Sequence, residues 1–420
     1  MHHFWYPRKE LYCENVPVGE IIEKFGTPCY IYSLATLERH YQAFDQAFSS
    51  VGHLVCYSVK ANSNLAILAA LARLGAGADI VSGGELYRAI KAGIPASRIV
   101  FSGVGKTEAE IEAALKSDIL MFNVESLQEL ELIGQMASRM GKEARVALRI
   151  NPDVDPQTHP YISTGLRKNK FGLPLDQALE GYRLAREMPG LSPVGVDCHI
   201  GSQITELSPF LDALKRVKEF ISQLEEEGIK IRYLDLGGGL GIPYRDETPP
   251  HPTYYGQALV KELKGLPYTL ILEPGRVIVG NAGILVTRVL YTKDTGEKRF
   301  VIVDAGMNDL ARPSLYGSYH EIVPVRREER ETVVVDVVGP ICESGDFLAR
   351  ERPLPEVAPG DLLAVMSAGA YGFVMASNYN SRPRPAEVLV KGDQFYLVRE
   401  RESYDDLIRG EIIPWEDGHA

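Results

Sequence analysis

The sequence has few cysteines, and their arrangement excludes two kinds of stabilising site. No two of them form a CxxC spacing. An odd and scattered set of this kind indicates neither a disulfide framework nor a zinc site. We therefore expect free thiols and no bound metal. The five cysteines are Cys13, Cys29, Cys56, Cys198 and Cys342.

The sequence also has no long apolar run and no excess of positive charge. No stretch approaches the roughly 18 consecutive apolar residues of a membrane span. Residues 1–7 lack the charged segment and apolar core of a secretory signal. The net charge of -11 disfavours nucleic acids and anionic membranes as partners, because both would be repelled at long range. We expect a cytosolic protein that binds neither.

A regular alternation of short apolar runs and amphipathic stretches follows between residues 54 and 276. A chain of 420 residues, 45% of them hydrophobic, is long enough for two domains, one of them a barrel of about 250 residues. Eight βα units close most economically as a (β/α)8 barrel, and a doubly wound open sheet is the alternative. The eight predicted strands are 54–59, 78–81, 99–101, 119–124, 145–150, 194–199, 233–236 and 269–273.

Helix boundaries are marked between these strands. Glycines stand where helices should end, at Gly75, Gly93 and Gly228. At three sites a serine or threonine precedes a glutamate by three residues, which predicts a capping box at the start of a helix. These pairs are Ser82 with Glu85, Thr107 with Glu110, and Ser126 with Glu129.

The last third of the chain has a different texture. After Val277 the sequence consists of β-branched runs without helical periodicity, and the runs 284–291 and 299–304 flank a turn, which predicts a hairpin. Residues 29–32 form another strand, expected to join this region. We predict an N-terminal segment (1–35) that joins a β domain (278–420), and a barrel domain (36–277) between them.

Four polar clusters follow predicted barrel strands, where barrel enzymes build their active sites. They contain Lys60, His199, the glycines 237–239, and Glu273 with Arg276. A lysine nucleophile, an imidazole, a glycine-rich anion site and a carboxylate beside an arginine are together what a pyridoxal-phosphate enzyme needs. Each cluster alone has a simpler explanation, such as a solvated lysine or a tight turn. Burial at the strand end is expected to favour the free amine of Lys60.

The motifs as a set resemble one enzyme family. The chain is similar to the diaminopimelate decarboxylases, which belong to the alanine-racemase-like class of pyridoxal-phosphate enzymes. This resemblance implies a barrel and a β domain, and a homodimer with active sites at the subunit interface. The motifs that carry it are YSVKAN, HIGSQ, GGG, EPGR, GPICESGD and SAGAYG, in this order along the chain.

The resemblance also implies catalytic roles for four residues. Lys60 would hold pyridoxal 5'-phosphate covalently, and His199 would stack on its ring. Glu273 would keep the ring nitrogen protonated. Cys342, from the partner subunit, would donate the proton that replaces CO2, although Lys60 could return it instead.

Further residues are implied in binding. The cofactor's phosphate would be held by Ser202, Gly239, Gly275, Arg276 and, from the partner subunit, Tyr371. The end of the substrate that does not react would be held by Arg276, Arg312, Tyr316, Tyr371 and Glu343, the last two from the partner subunit.

The resemblance implies decarboxylation of meso-2,6-diaminopimelate to L-lysine and CO2, the last step of lysine biosynthesis. A racemase, or a decarboxylase of ornithine, arginine or carboxynorspermidine, is the alternative on the same scaffold. The opposite charges of Arg312 and Glu343 favour a substrate with a distal carboxylate and a distal amine. An enzyme that forms a diamine would be expected to have acidic groups alone at this place. A non-catalytic regulatory homologue is the other alternative, and retention of Lys60, Glu273 and Cys342 disfavours it.

Overall fold

The computed structural model describes residues 2–154 and 170–414. The chain forms two compact units, Leu34–Ala282 and His2–Ser33 with Gly283–Ala420. The N-terminal segment therefore belongs to the unit of the C-terminal part. The domain boundaries expected at residues 36 and 278 stay a prediction, because compactness alone does not establish independent folding. No helix in the described part of the chain has the length and apolarity needed to cross a bilayer.

The N-terminal segment contains four strands and one helix. Its first three strands form a small antiparallel sheet, and the fourth lies in the large sheet of the second unit. The elements are β1 (Phe4–Trp5), β2 (Tyr12–Cys13), β3 (Val16–Pro17), α1 (Val18–Phe25) and β4 (Cys29–Ser33).

The first unit is a closed barrel of eight parallel strands. This confirms the predicted (β/α)8 barrel and excludes the open sheet, because the last strand pairs with the first. The strands are β5 (His53–Ser58), β6 (Gly77–Ile80), β7 (Ile99–Phe101), β8 (Met121–Val124), β9 (Ala144–Arg149), β10 (Leu191–Asp197), β11 (Tyr233–Asp235) and β12 (Thr269–Leu272). The helices are α2 (Leu34–Gln46), α3 (Leu65–Arg73), α4 (Gly83–Lys91), α5 (Glu108–Ser117), α6 (Leu127–Arg139), α7 (Leu175–Glu187), α8 (Ser208–Glu226), α9 (Pro252–Leu263) and α10 (Arg276–Val279).

Only one of the three predicted capping boxes forms completely. Thr107 and Glu110 exchange both hydrogen bonds at the start of α5. The hydroxyl of Ser82 accepts the N–H of Glu85, but the Glu85 carboxylate accepts the N–H of Val81 instead of that of the cap. Val81 directly follows β6, so its N–H lies beyond the paired residues of the strand and donates to the Glu85 carboxylate. The predicted box on α6 is wrong in the same way.

The second unit is mainly β-structure. The predicted hairpin is confirmed as an antiparallel pair, β13 with β14. In the large sheet β4 lies between β13 and β19, which confirms that the N-terminal segment joins this region. The strands are β13 (Gly283–Asp294), β14 (Arg299–Val303), β15 (Ile322–Pro324), β16 (Thr332–Val338), β17 (Phe347–Pro355), β18 (Leu362–Val365), β19 (Ala386–Lys391) and β20 (Gln394–Arg399). The helices are α11 (Arg312–Tyr316) and α12 (Tyr404–Leu407).

Candidate active site

Lys60 lies directly after the first barrel strand. β5 ends at Ser58 and continues into the 3-10 turn Val59–Ala61. The Lys60 Nζ is 2.6 Å from Oδ2 of Asp79, a fully buried carboxylate on β6, and the Ser58 hydroxyl donates to the same oxygen at 2.7 Å. The Lys60 side chain is 35% exposed, so it is less buried than the sequence suggested. Its ammonium is held by a buried carboxylate and is not isolated in an apolar pocket.

His199 follows β10 and is held as a neutral ring. Its Nδ1 accepts the backbone N–H of Gly238 at 3.1 Å, so a neutral imidazole carries its proton on Nε2. Burial lowers the pKa of His199 well below 6.5, and the positive charges of Arg149 and Lys60 lower it further. An uncharged, oriented imidazole can stack on a flat ligand without repelling a nearby cation.

Glu273 follows β12 and is bound by two neutral donors. Its Oε1 accepts the Asn123 amide at 3.2 Å and the Ser102 hydroxyl at 3.3 Å. The same Asn123 amide nitrogen donates to Oδ2 of Asp235 at 3.1 Å. All four side chains are buried. Asn123 therefore links carboxylates from two strands and orients both.

Buried carboxyls cluster around this amide. Oxygen atoms of Asp197, Asp235 and Glu273 all lie within 4.8 Å of one another. Burial and then the charge of Asp235 raise the pKa of Glu273 well above 4.5, and burial raises the pKa of Asp235 to about 6. The cluster thus keeps protons at a pH where isolated carboxyls lose theirs. A shared proton fits better than a cation, because the Asn123 N–H groups that point at these oxygens cannot bind metal.

Glycines bring three loops close together near these residues. Gly239 has a φ of +115°, and a Cβ there would lie 2.6 Å from the carbonyl oxygen of Gly201. A Cβ on Gly275 would lie 3.0 Å from the Cβ atoms of Ser58 and Ala61. Side chains are excluded at these points, so the backbone itself can approach a bound anion.

Arg276 is the first residue of α10 and is buried. Its Nη1 donates to the Tyr244 hydroxyl at 2.7 Å, and its Nη2 donates to the Ser202 hydroxyl at 3.0 Å. Two bonds from two different nitrogens restrain the plane of the guanidinium. The structure therefore brings Ser202 and Arg276 together, as their predicted shared role in phosphate binding requires.

In the second unit, α11 carries Arg312 and Tyr316 and is tied to the loop after β16. The Ser314 hydroxyl on this helix donates to the Gly345 carbonyl oxygen at 2.6 Å. The same loop contains Cys342, which is exposed. The helix that carries Arg312 and Tyr316 and the loop that carries Cys342 therefore form one local cluster.

The loop after β16 is itself well anchored. The Asp346 carboxylate accepts the N–H groups of Ile341 at 2.7 Å and Met307 at 2.6 Å. The Cys342 N–H donates to the Asn380 side-chain oxygen at 2.8 Å, and the Tyr379 hydroxyl donates to Oε2 of Glu343 at 3.4 Å. These contacts hold the thiol and the carboxylate of neighbouring residues at the surface.

Tyr371, the remaining predicted residue, lies in the segment between β18 and β19. Its φ of +55° places it in the left-handed region, which is uncommon for a tyrosine. The next residue, Gly372, is tightly packed, since a Cβ there would lie 2.4 Å from the Ala368 carbonyl oxygen. Tyr371 thus has an uncommon backbone conformation directly before a closely packed glycine.

Several residues of the site were not predicted. Each is a polar residue at or next to the end of an apolar barrel strand, and that placement is the sequence signal that could have identified it. Arg149 is one example: it is buried, and its Nη1 donates to Glu125 at 2.8 Å. The unpredicted residues are Asp79, Asn123, Arg149, Asp197 and Asp235.

Comparisons with known proteins agree on one family. Residues 34–280 match the family model described as "Pyridoxal-dependent decarboxylase, pyridoxal binding domain". A diaminopimelate decarboxylase from Haemophilus influenzae is 55% identical over 409 residues, which cover 97% of this chain and 98% of that one.

Two solved structures bound to L-lysine are also similar. The diaminopimelate decarboxylase from M. jannaschii superposes with a TM-score of 0.94 and 43% identity, covering 99% of each chain. The enzyme from Helicobacter pylori has a TM-score of 0.90 and 47% identity, covering 93% of this chain and 98% of that one.

Proposed function

Because the chain belongs to the pyridoxal-dependent decarboxylases, and among them to the diaminopimelate decarboxylases, we propose that it converts meso-2,6-diaminopimelate to L-lysine and CO2. The reaction breaks the bond between one α-carbon and its carboxylate, releases CO2 and adds a proton to that carbon. The observation that carries the proposal is the arrangement of Lys60, neutral His199 and Glu273 at the ends of barrel strands. The reaction is the last step of lysine biosynthesis.

The residues present fit pyridoxal 5'-phosphate. Lys60 supplies the amine for covalent attachment, and His199 supplies a flat neutral ring. Around Gly239 and Gly275 a side chain would clash with neighbouring atoms, which suits close approach of backbone to phosphate. The phosphate would also be bound by Ser202 and Arg276, and by Tyr371 of the partner subunit.

When bound, this cofactor supplies an electron sink for the charge left on carbon as CO2 departs. Glu273 would hold a proton at the cofactor's ring nitrogen, and Asn123 and Ser102 keep its Oε1 in one place. Because burial and the charge of Asp235 raise the pKa of Glu273, its carboxyl would bring a proton that it can share with the ring nitrogen. Lys60 must lose a proton before it can act as a nucleophile, and the adjoining Asp79 is placed to accept it.

The unreactive end of the substrate carries a carboxylate and an ammonium group. Arg312, Arg276 and Tyr316 would bind the carboxylate, and Glu343 and Tyr371 of the partner subunit would complete the site around the ammonium. Buried charges that are left unpaired cost several kcal/mol, so a site with both signs favours an amino-acid end. Ornithine and arginine lack a second carboxylate, which makes them poorer substrates.

Each active site is proposed to be completed by two subunits of a homodimer. Cys342 of the partner subunit would deliver the proton to the carbon that has lost CO2, with Lys60 as the alternative donor. Cys342 is exposed in the chain, as a residue that reaches another subunit must be. We place the reaction in the cytoplasm, because all five cysteines are free thiols.

The test is to incubate purified, cofactor-loaded protein with meso-2,6-diaminopimelate and to quantify L-lysine and CO2. We expect one mole of each per mole of substrate consumed. L-ornithine and L-arginine, tested in parallel, should react far more slowly. If CO2 were released faster from L-ornithine or L-arginine than from meso-2,6-diaminopimelate, the protein would be assigned to the related ornithine or arginine decarboxylases. Cofactor binding without CO2 release from any substrate would indicate the non-catalytic homologue.

A further inference from the structure

His320 is a fully buried histidine next to Arg312 in the second unit. Its two ring nitrogens have chemically different partners. Nδ1 lies 2.8 Å from the backbone carbonyl oxygen of Met366, and Nε2 lies 2.7 Å from Nη1 of Arg312. The carbonyl can only accept a hydrogen bond and the guanidinium can only donate one. The ring is therefore neutral, with its proton on Nδ1 and a lone pair on Nε2 directed at Arg312.

The position of His320 is determined by strand pairing. β15 begins two residues later and runs antiparallel to β18, with Ile322 opposite Val365. The Met366 N–H donates to the Glu321 carbonyl oxygen at 2.8 Å, and Nη1 of Arg352 donates to the His320 carbonyl oxygen at 2.6 Å. These hydrogen bonds fix the main chain on both sides of His320, so its imidazole can act as a fixed support for a longer side chain.

A neutral support has a specific consequence for Arg312. A carboxylate at the place of the imidazole would also orient the guanidinium, but it would neutralise its charge. The imidazole accepts a hydrogen bond from Arg312 and does not itself cancel the positive charge of the guanidinium. A buried cation that is oriented in this way is suited to bind a carboxylate that arrives with the substrate.

We propose that His320 is a positioning residue that orients Arg312, without neutralising it, for the carboxylate at the unreactive end of the substrate. The inference rests on the proposed function, because it takes Arg312 as the group that binds this carboxylate. It adds a residue that does not touch the substrate and acts only through Arg312. The sequence places both in one segment, RPSLYGSYH, eight residues apart.

Two variants separate positioning from bulk packing. His320→Leu introduces an apolar side chain of similar size that offers no hydrogen-bond acceptor. His320→Gln can accept from Arg312 through its amide oxygen and donate to the Met366 carbonyl through its amide nitrogen. If the role is positioning, the glutamine variant should recover most of what the leucine variant loses.

Two inhibitors provide the readout in cofactor-loaded enzyme. L-lysine retains the carboxylate in question, whereas 1,5-diaminopentane is the same molecule without it. For His320→Leu we expect the KM for meso-2,6-diaminopimelate and the inhibition constant of L-lysine to rise about ten- to a hundredfold. The inhibition constant of 1,5-diaminopentane and kcat should change less than about threefold, and His320→Gln should restore L-lysine binding.

Equal weakening of both inhibitors, or a fall in kcat at constant KM, would overturn the proposal. So would a glutamine variant that folds with unchanged melting temperature but binds L-lysine as poorly as the leucine variant. If the leucine variant does not fold, nitrogen-15 NMR of histidine-labelled wild-type protein decides, with the glutamine variant identifying the His320 signal. A neutral ring with its proton on Nδ1 is expected, and a proton on Nε2 would exclude the proposal. Failure of the proposed function is seen separately, as wild-type protein that forms no L-lysine.

Discussion

The ammonium of Lys60 lies 2.6 Å from Oδ2 of Asp79, a carboxylate with no exposed surface on the neighbouring barrel strand. The other oxygen of Asp79, Oδ1, is buried and has no hydrogen-bond partner among the described residues. An unpartnered buried oxygen is costly. The hydrogen bond from Nζ to Oδ2 is the direct contact through which Lys60 could pass a proton to Asp79 before it reacts.

Replacement of Lys60 by alanine should abolish both covalent cofactor attachment and turnover. Lys106, another lysine near the ends of the barrel strands, is bound by Glu129 and by two carbonyl oxygens, so it cannot substitute. We expect a loss of at least about 10³-fold in L-lysine formation. Borohydride reduction followed by mass spectrometry checks the attachment. Lys60→Arg keeps a cation beside Asp79 and should be equally inactive, whereas undiminished turnover in either variant would refute the mechanism.

Replacement of Gly239 by alanine should weaken cofactor binding. The new Cβ would lie 2.6 Å from the Gly201 carbonyl oxygen, so the loop that approaches the phosphate has to move. Gly228→Ala is the matched control, because Gly228 also has a positive φ, +77°, but has open space around its Cβ position. Both should lose about 1 kcal/mol or more of stability from backbone strain. Fluorescence titration with pyridoxal 5'-phosphate should show weaker affinity for Gly239→Ala alone, and equal affinities would contradict the assignment.

Replacement of Asp235 by asparagine should change how stability depends on pH. Burial raises the pKa of Asp235 from 3.8 to about 6, so the folded state binds more protons than the unfolded state between these values. Wild-type stability from this group is therefore present below pH 3.8 and lost as the pH rises through about 6. The stability of the variant relative to wild type should improve by about 1–3 kcal/mol between pH 4 and pH 7.

Urea unfolding of the cofactor-free protein at several pH values measures this difference. The lost hydrogen bonds of Asp235 add an offset that does not depend on pH. Asp294→Asn is a control of opposite sign, because a hydrogen bond from the Gly296 N–H lowers the pKa of the exposed Asp294. The stability that Asp294 contributes is lost as the pH falls. The stability of Asp294→Asn relative to wild type should therefore decline as the pH rises towards 3.8, the usual pKa of this group. A difference for Asp235→Asn that is constant with pH would contradict the proton-sharing cluster.

Replacement of Arg312 by alanine should weaken substrate binding and leave cofactor binding intact. The change removes a buried, charge-assisted contact to a carboxylate, for which about 2–5 kcal/mol is typical. Steady-state kinetics should show a higher KM with kcat changed much less. Arg299→Ala removes an exposed arginine whose partner is Asp294 on the same hairpin, and it should leave both constants unchanged. Loss of cofactor binding with normal KM would assign Arg312 a different role.

Mixed dimers should reveal whether the active site is shared between subunits. Lys60→Ala and Cys342→Ala are each expected to be inactive alone. If each site takes Lys60 from one subunit and Cys342 from the other, a mixed dimer contains one site with both defects and one with neither. Partial recovery of activity on mixing is therefore expected. Subunit exchange is verified first by pull-down of differently tagged chains, and exchange without recovery would refute a shared site with Cys342 as the acid.

The sequence alone was sufficient for the barrel, the hairpin and the strand-end position of Lys60. Hydrophobic periodicity and helix caps depend on residues within a few positions of each other, so they can be read along the chain. The same locality explains the errors. Glu85 follows the capping pattern, but its carboxylate accepts the N–H of Val81. Which backbone N–H this carboxylate binds depends on where β6 ends, and the local pattern does not contain that information.

Tertiary structure decided the electrostatics of the site. Asn123 bonds to Asp235 and Glu273 across separations of 112 and 150 residues, and His320 bonds to Met366 across 46. No local pattern links such residues, because their contact depends on closure of the barrel and on strand pairing. The chain's sequence therefore determined which strand ends carry reactive groups, and the closed fold determined which of those groups share a proton, a hydrogen bond or a charge.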